Sequence, residues 1–464
     1  MHITWEQTTL ISAETIDKTH KKLLAPLDHI AQALENKNCF TNQSPFTFAA
    51  VPFDTNYQKT ILDAAENVKK AGCDGVILIG IGGSNLGTMA VHAALSGLFP
   101  SDTTPKLYCV DTIGDDESAQ LRAKISSELI NHTKLHLVII SKSGSTLETA
   151  INAKLYIELF KKQFPQNYAS RITVITEEQS LLWRQGEKEG FNRLALPKTV
   201  GGRYSVFTAV GLFPLALLGH DIQALCKGAQ EALIKTIAHT NPSIHFGSAK
   251  TPFDTTPWVT QGMLRVSGLN TAATRATILH HWYTQGLVVH DSFFFDSSCE
   301  LLGKWYRQLL AESTGKKLDI HGKLIETGIT PTVSIGTTDL HSLFQLAIGG
   351  PRIRGTTFYA VEQNNTSITS ITSISSSDTS DAPINTTPLA TINAKLRESA
   401  QIVYHEDNRP FMTITFKKNA QDIGNLLQTH LLEVALLGYL LEINPFDQPE
   451  VERYKKEAKK LLKL

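Results

Sequence analysis

Nowhere in this chain do about eighteen apolar residues follow one another, so no membrane-spanning helix is expected. The N-terminus, MHITWEQTTLISAETIDKTHKK, lacks a basic start followed by an apolar block, so no secretory leader is expected. Cysteine is sparse: Cys39, Cys73, Cys109, Cys226 and Cys299 form no CxxC pair and no Cys/His group at zinc spacing. Five scattered thiols suit a reducing compartment, so the expected location is cytoplasmic, without structural zinc or other metal. An excess of charge is also missing. Forty-four Lys and Arg balance forty-four Asp and Glu, which speaks against a general nucleic-acid binder. A small basic pocket for an anionic metabolite remains compatible with that balance. The sequons at Asn364, Asn365 and Asn385 read as chance matches in a polar stretch.

What is present is globular. Apolar residues make up 42% and charged residues 19% of 464, a length that suggests about three domain-sized units. After a helical stretch near 15–35, short apolar runs alternate with amphipathic patterns. Strands are expected at 75–81, 106–112, 135–141 and 171–177, with helices from Ser84, near 116–130 and over Thr146–Phe164. A helical region, 204–239, is broken near Gly219. The alternation then resumes: helix 272–285, strand 286–292, helix 298–313, strand 332–336, helix 339–348, and strands 356–362 and 411–416. Helices near 420–442 and 449–463 close the chain. Such alternation predicts βαβ units and parallel sheets covered on both faces. The fold class is therefore α/β, with two doubly wound αβα domains and a C-terminal helical arm. The stretch 363–388 is Ser/Thr-rich and reads as a long surface excursion.

Ligands of open α/β sheets bind at the carboxyl ends of strands, and two loops there carry chemistry. GIGGSNLG (80–87) has Gly80, Gly82 and Gly83 for close backbone approach, and Ser84 to cap the next helix or offer its hydroxyl. It is not a dinucleotide loop, because Asn85 stands where GxGxxG needs glycine. SKSGSTLET (141–149) gathers Ser141, Lys142, Ser143, Ser145 and Thr146 before a helix N-terminus. Hydroxyls and free backbone N–H groups there suit a phosphate, and no GK[ST] follows to make a nucleotide-triphosphate loop. The competing, lesser reading is a tight strand-to-helix turn for the first loop and a hydroxyl-rich helix cap for the second. VGGRYS (200–205) sets Arg203 behind two glycines, AESTGK (311–316) ends a helix with Glu312, GTTDLHSLFQL (336–346) carries His341, and INPFDQPEVERYK (443–455) carries Gln448 and Lys455. Alone, such residues read as ordinary surface groups.

Six ordered motifs together resemble the glucose-6-phosphate isomerase family over about residues 50–460. The resemblance implies sugar-isomerase (SIS-type) domains: an N-terminal segment 1–45 packing on the larger domain, a smaller domain 46–218, a larger domain 219–430 and an arm 431–464. It implies reversible exchange of glucose 6-phosphate and fructose 6-phosphate through ring opening and an enediolate, with no cofactor. Gly83, Ser84, Ser141, Lys142, Ser143 and Thr146 would hold the substrate, with Gln448 lining the pocket. Glu312 would carry the proton between carbons 1 and 2, Arg203 would stabilise the enediolate, and His341 and Lys455 would assist ring opening. In this family the histidine comes from a partner subunit, so a homodimer is implied. The chain departs from the common pattern at Asn85, often aspartate, at Thr314, often asparagine, and at Glu450, often glycine. Glu450 bears on the turn that would set Lys455. A phosphomannose-active isomerase on the same domains is the nearest alternative. A phosphosugar-sensing regulator is the other, though no DNA-binding segment is evident.

Overall fold

Three strands of the first sheet are buried at every position: β2 (Gly75–Ile79), β4 (Leu135–Ile140) and β5 (Ile172–Thr176). This explains their unbroken apolar runs, since both faces of a parallel sheet are covered. The computed structural model describes residues 1–5, 8–99, 105–114, 116–238, 271–362 and 388–462. With β3 (Lys106–Val110) and β6 (Asn192–Ala195), the sheet runs β3-β2-β4-β5-β6, all parallel. In order of appearance that is 2-1-3-4-5, a doubly wound arrangement whose switch point lies between β2 and β4.

The second sheet contains β7 (Val289–Phe294), β10 (Thr330–Ile335), β11 (Arg354–Glu362) and β12 (Phe411–Lys417). Its four parallel strands follow the same 2-1-3-4 order, and β1 (His2–Thr4) adds an antiparallel edge on β12. A two-stranded hairpin, β8 (Lys316–Leu318) and β9 (Leu324–Thr327), stands apart from both. A continuous apolar core joins the sheets through the Ala209–Leu217, Ile222–Ile237 and Ala420–Leu440 helices. Among the described residues no helix is long and apolar enough to cross a membrane.

Several local expectations change. The opening helix is two helices, Ala13–Lys22 and Leu24–Ala33. The strand expected at 286–292 lies at 289–294, because Gly286 takes φ +84° and spends the preceding residues on a turn. The helix expected over 339–348 is a 3₁₀ turn, Thr338–Leu340, followed by the short helix Phe344–Gly349. The helix Leu389–Glu406 was not expected at all, yet it supplies the crossover that parallel pairing of β11 and β12 requires. The sequons and the Ser/Thr-rich stretch, Pro388 excepted, lie outside the described residues.

Candidate active site

The loops after β2 and β4 flank the switch point, where neighbouring strand ends stand about 4.8 Å apart. The first loop closes as a 3₁₀ turn over Gly82–Ser84. A Cβ on Gly83 would come within 2.2 Å of the Gly202 carbonyl carbon, so only glycine lets the loops at 80–84 and 200–203 meet. Ser205 Oγ ties them, donating to Gly202 O at 2.6 Å and Gly83 O at 3.3 Å. Ser84 does not cap the next helix. Asn85 holds the cap position, and its buried side chain donates instead to Asp111 Oδ2 at 2.9 Å.

In the second loop Ser141 Oγ donates to Thr146 Oγ1 at 3.2 Å, and Ser143 and Ser145 hydroxyls lie 2.9 Å apart. Thr146 is the N-cap of the Leu147–Gln163 helix but makes no side-chain cap bond, which leaves first-turn N–H groups for a ligand. Gly144 turns the loop with φ +69°, and a Cβ there would press on Leu182 N at 2.7 Å. Lys142 Nζ donates to Lys198 O at 2.7 Å and lies 3.4 Å from Glu177, holding this loop to the segment that leads to Arg203.

Arg203 is buried, its side chain only 2% exposed, and uses its whole guanidinium. Nε donates to Ser313 Oγ at 2.8 Å. Nη1 donates to Glu312 Oε2 at 3.3 Å and Gln448 Oε1 at 2.7 Å. Nη2 donates to Pro445 O at 2.5 Å and Asp447 O at 3.0 Å. Five N–H groups thus meet five acceptors drawn from the Glu300–Thr314 helix and the 445–448 turn. Glu312 stands in the last turn of that helix, with its side chain 29% exposed. A carboxylate, a guanidinium and an amide therefore converge beside the loop after β2, where Gly83 meets the Gly202–Arg203 backbone and Gly82 faces Gln308. That set can remove a proton next to a carbonyl and stabilise the resulting anion.

Two residues outside the expected set join the site. Gln308, one helical turn before Glu312, donates Nε2 to Glu312 Oε1 at 2.8 Å, and its Oε1 is buried without a partner among the described residues. The four-residue spacing on one helix was the available signal. Lys316 lies inside the quoted AESTGK motif; its Nζ donates to Glu312 O at 2.9 Å and Asp447 O at 2.6 Å. Burial lowers its pKa, with Arg203 adding to the effect and Asp447 opposing it.

The remaining candidates are not drawn into this cluster. His341 follows the Thr338–Leu340 turn beyond the carboxyl end of β10, exposed, with no side-chain bond among the described residues. Lys455 rides on the Pro449–Leu462 helix, none of whose side chains is buried, and its Nζ pairs with Glu452 at 2.7 Å. Glu450 does not disturb the turn before that helix. It sits in the first turn behind Pro449, where both a proline and a carboxylate are favoured, and pairs with Arg453 at 2.6 Å. Tyr454 on the same helix reaches Glu148 at 3.5 Å, beside the 141–146 loop.

A family model described as phosphoglucose isomerase matches residues 53–243 and 269–464. A glucose-6-phosphate isomerase of Fusobacterium nucleatum is 30% identical over 445 residues, 94% of this chain and 90% of its own length. One from Lactobacillus johnsonii is 31% identical over 413 residues, 88% of this chain and 84% of its own. Among solved structures, a glucose-6-phosphate isomerase from Chlamydia trachomatis superposes with TM-score 0.76 at 19% identity, covering 99% of this chain and 88% of that one. A hypothetical protein from Thermus thermophilus superposes with TM-score 0.80 at 24% identity, covering 99% of this chain and 100% of that one. Both structural likenesses concern the fold.

Proposed function

This chain belongs to the phosphoglucose isomerase family, and from that premise we propose how its residues share the work. It is an aldose–ketose isomerase that exchanges glucose 6-phosphate and fructose 6-phosphate, a step of glycolysis and gluconeogenesis. The Glu312 carboxylate takes the proton from carbon 2 of the open-chain aldose and returns it to carbon 1, while a proton passes from the carbon-2 hydroxyl to the carbon-1 oxygen. The enediolate between these steps is anionic. Arg203 stabilises it by turning Nη1 from a protein acceptor to the sugar oxygen, because every N–H is otherwise engaged. Ser84, Ser141, Lys142, Ser143 and Thr146, with the backbone at Gly83, hold the phosphate, whose binding orients the sugar. Gln448 lines the pocket. His341 and Lys455 assist ring opening, the histidine reaching the pocket of a second copy in a homodimer. The boundary between the two sugar-isomerase domains falls at Gly219, between the Ala209–Leu217 and Ile222–Ile237 helices. Reduced thiols suit a cytoplasmic enzyme, and a balanced charge gives no handle for nucleic acid.

The observation that carries this reading is the 3.3 Å pair between Arg203 Nη1 and Glu312 Oε2 at the switch-point crevice. In an assay that follows glucose 6-phosphate formed from fructose 6-phosphate, Glu312→Gln loses about a thousandfold in kcat while the substrate still protects the fold against heat. Near-normal turnover removes Glu312 from the base role. Mixing inactive Glu312→Gln with inactive His341→Ala subunits restores about a quarter of wild-type activity if sites are shared between copies. No recovery removes the shared-site dimer.

A further inference from the structure

Lys316 is the first residue after Gly315, which ends the helix that carries Glu312. Its side chain is only 5% exposed, unusual for lysine. The ammonium has three N–H groups and meets three acceptors: Glu312 O at 2.9 Å, Asp447 O at 2.6 Å and Asp447 Oδ1 at 3.1 Å. Glu312 O is one of the carbonyls a helix leaves unpaired in its last turn, where a cation is doubly favoured. Asp447 O is shared, since Arg203 Nη2 donates to it as well. Two cations therefore hold the same turn. Arg203 grips the Glu312 and Gln448 side chains through Nη1 and the Pro445 and Asp447 carbonyls through Nη2, and Lys316 grips Glu312 and Asp447 chiefly by their backbones.

The two grips differ in what the reaction demands of them. Arg203 has to release an Nη1 acceptor to meet a sugar oxygen, which loosens its hold on the Glu312 carboxylate or on Gln448 while Nη2 stays on the turn carbonyls. Lys316 has no such duty. Its bonds to main-chain oxygens persist whichever way the Glu312 carboxylate swings. We propose that Lys316 is a positioning residue for the isomerisation: it fastens the backbone of Glu312 to the turn bearing Gln448, so the base keeps its place while Arg203 exchanges partners. This rests on Glu312 being the base.

Replacing Lys316 by Met keeps the stem and removes the tripod, and Lys316→Gln keeps a donor without the charge. With fructose 6-phosphate in either folded variant, kcat falls about tenfold to a hundredfold, because a displacement of about 1 Å between base and carbon is costly. KM stays within about twofold, since the phosphate grip is untouched. The primary isotope effect with 2-deuterated glucose 6-phosphate rises, because proton transfer becomes the slow step. Lys316→Arg, which retains charge and donors, recovers part of kcat. A folded variant with wild-type kcat and isotope effect overturns the proposal, and so does a loss confined to KM. If Lys316→Met does not fold, Lys316→Gln is judged by the same readings. An inactive Glu312→Gln beside an unaffected Lys316 variant removes this inference alone. An active Glu312→Gln removes the base assignment itself.

Discussion

Asn85 shows how one atom decides a position. Its amide donates to Asp111 Oδ2 at 2.9 Å in a place where the residue is 1% exposed. An aspartate there would set two carboxylates against each other, and like charges at that distance cannot both ionise without cost. Asparagine, the departure noted in the sequence, is thus the residue that its partner demands. We predict that Asn85→Asp lowers stability at pH 7 by about 2 kcal/mol and recovers part of it below about pH 5, where one carboxyl takes up a proton. Urea unfolding at both pH values checks this; equal losses at each would contradict the repulsion. Arg203 gives the complementary lesson. Its motif is legible in the sequence, but its five acceptors lie 109 to 245 residues away, a relation no local spacing encodes. Lys316 lies within the AESTGK motif, yet nothing local marks it, because its partner Asp447 is 131 residues distant.

Between elements, the least expected join is charged. Arg275 on the Thr271–Thr284 helix and Glu433 on the Ala420–Leu440 helix pair at 2.6 Å with both side chains 0% exposed. Tyr306 donates to the same carboxylate at 2.5 Å, and His430 Nδ1 lies 2.8 Å from it. Burial alone would raise the Glu433 pKa, but Arg275 and His430 outweigh it and hold the group at about 2. Glu433→Ala leaves Arg275 charged in the core without a counter-ion, and we predict a loss of about 3–5 kcal/mol. Calorimetry or urea titration measures it, and a loss under about 1 kcal/mol would mean that the cluster rearranges. Strands of the first sheet were legible because a doubly covered strand must be apolar throughout. The Thr55–Lys70 helix is a further element outside the expected set, although Tyr57, Ile61, Ala65 and Val68 are buried at helical spacing. The Leu389–Glu406 helix gave less to find: only Ala400 and Tyr404 are buried, and a Ser/Thr-rich run precedes it.

The two sheets share a strand order without sharing a sequence pattern. Each also buries a histidine at the second position of a strand. His136 Nε2 meets Thr173 Oγ1 at 2.8 Å in the first sheet, and His290 Nε2 meets Thr357 Oγ1 at 2.9 Å in the second. Burial lowers both to about 3, with Arg171 adding to the effect on His136 and Arg275 on His290. An unfolded histidine takes up its proton near pH 6.5, while these stay neutral until about pH 3. In that window the unfolded chain binds more protons, so stability is complete above pH 6.5 and falls as pH falls. The slope is about 1.4 kcal/mol per pH unit for each histidine. We predict that urea midpoints drop steadily from pH 6.5 to 4, and that His136→Gln makes the drop shallower. An unchanged slope would show that other groups set the acid limit.

The amino-acid sequence by itself determined the class of fold, most of the parallel strands, the loops at strand ends and the family, because burial of apolar runs and glycine-bearing turns are local properties of the chain. Only the tertiary structure decided which carboxylate meets which cation. The Glu312–Arg203–Gln448 set and the Lys316 tripod join segments that are far apart in sequence, and hydrogen bonds a few ångströms long exist only once packing has brought those segments together.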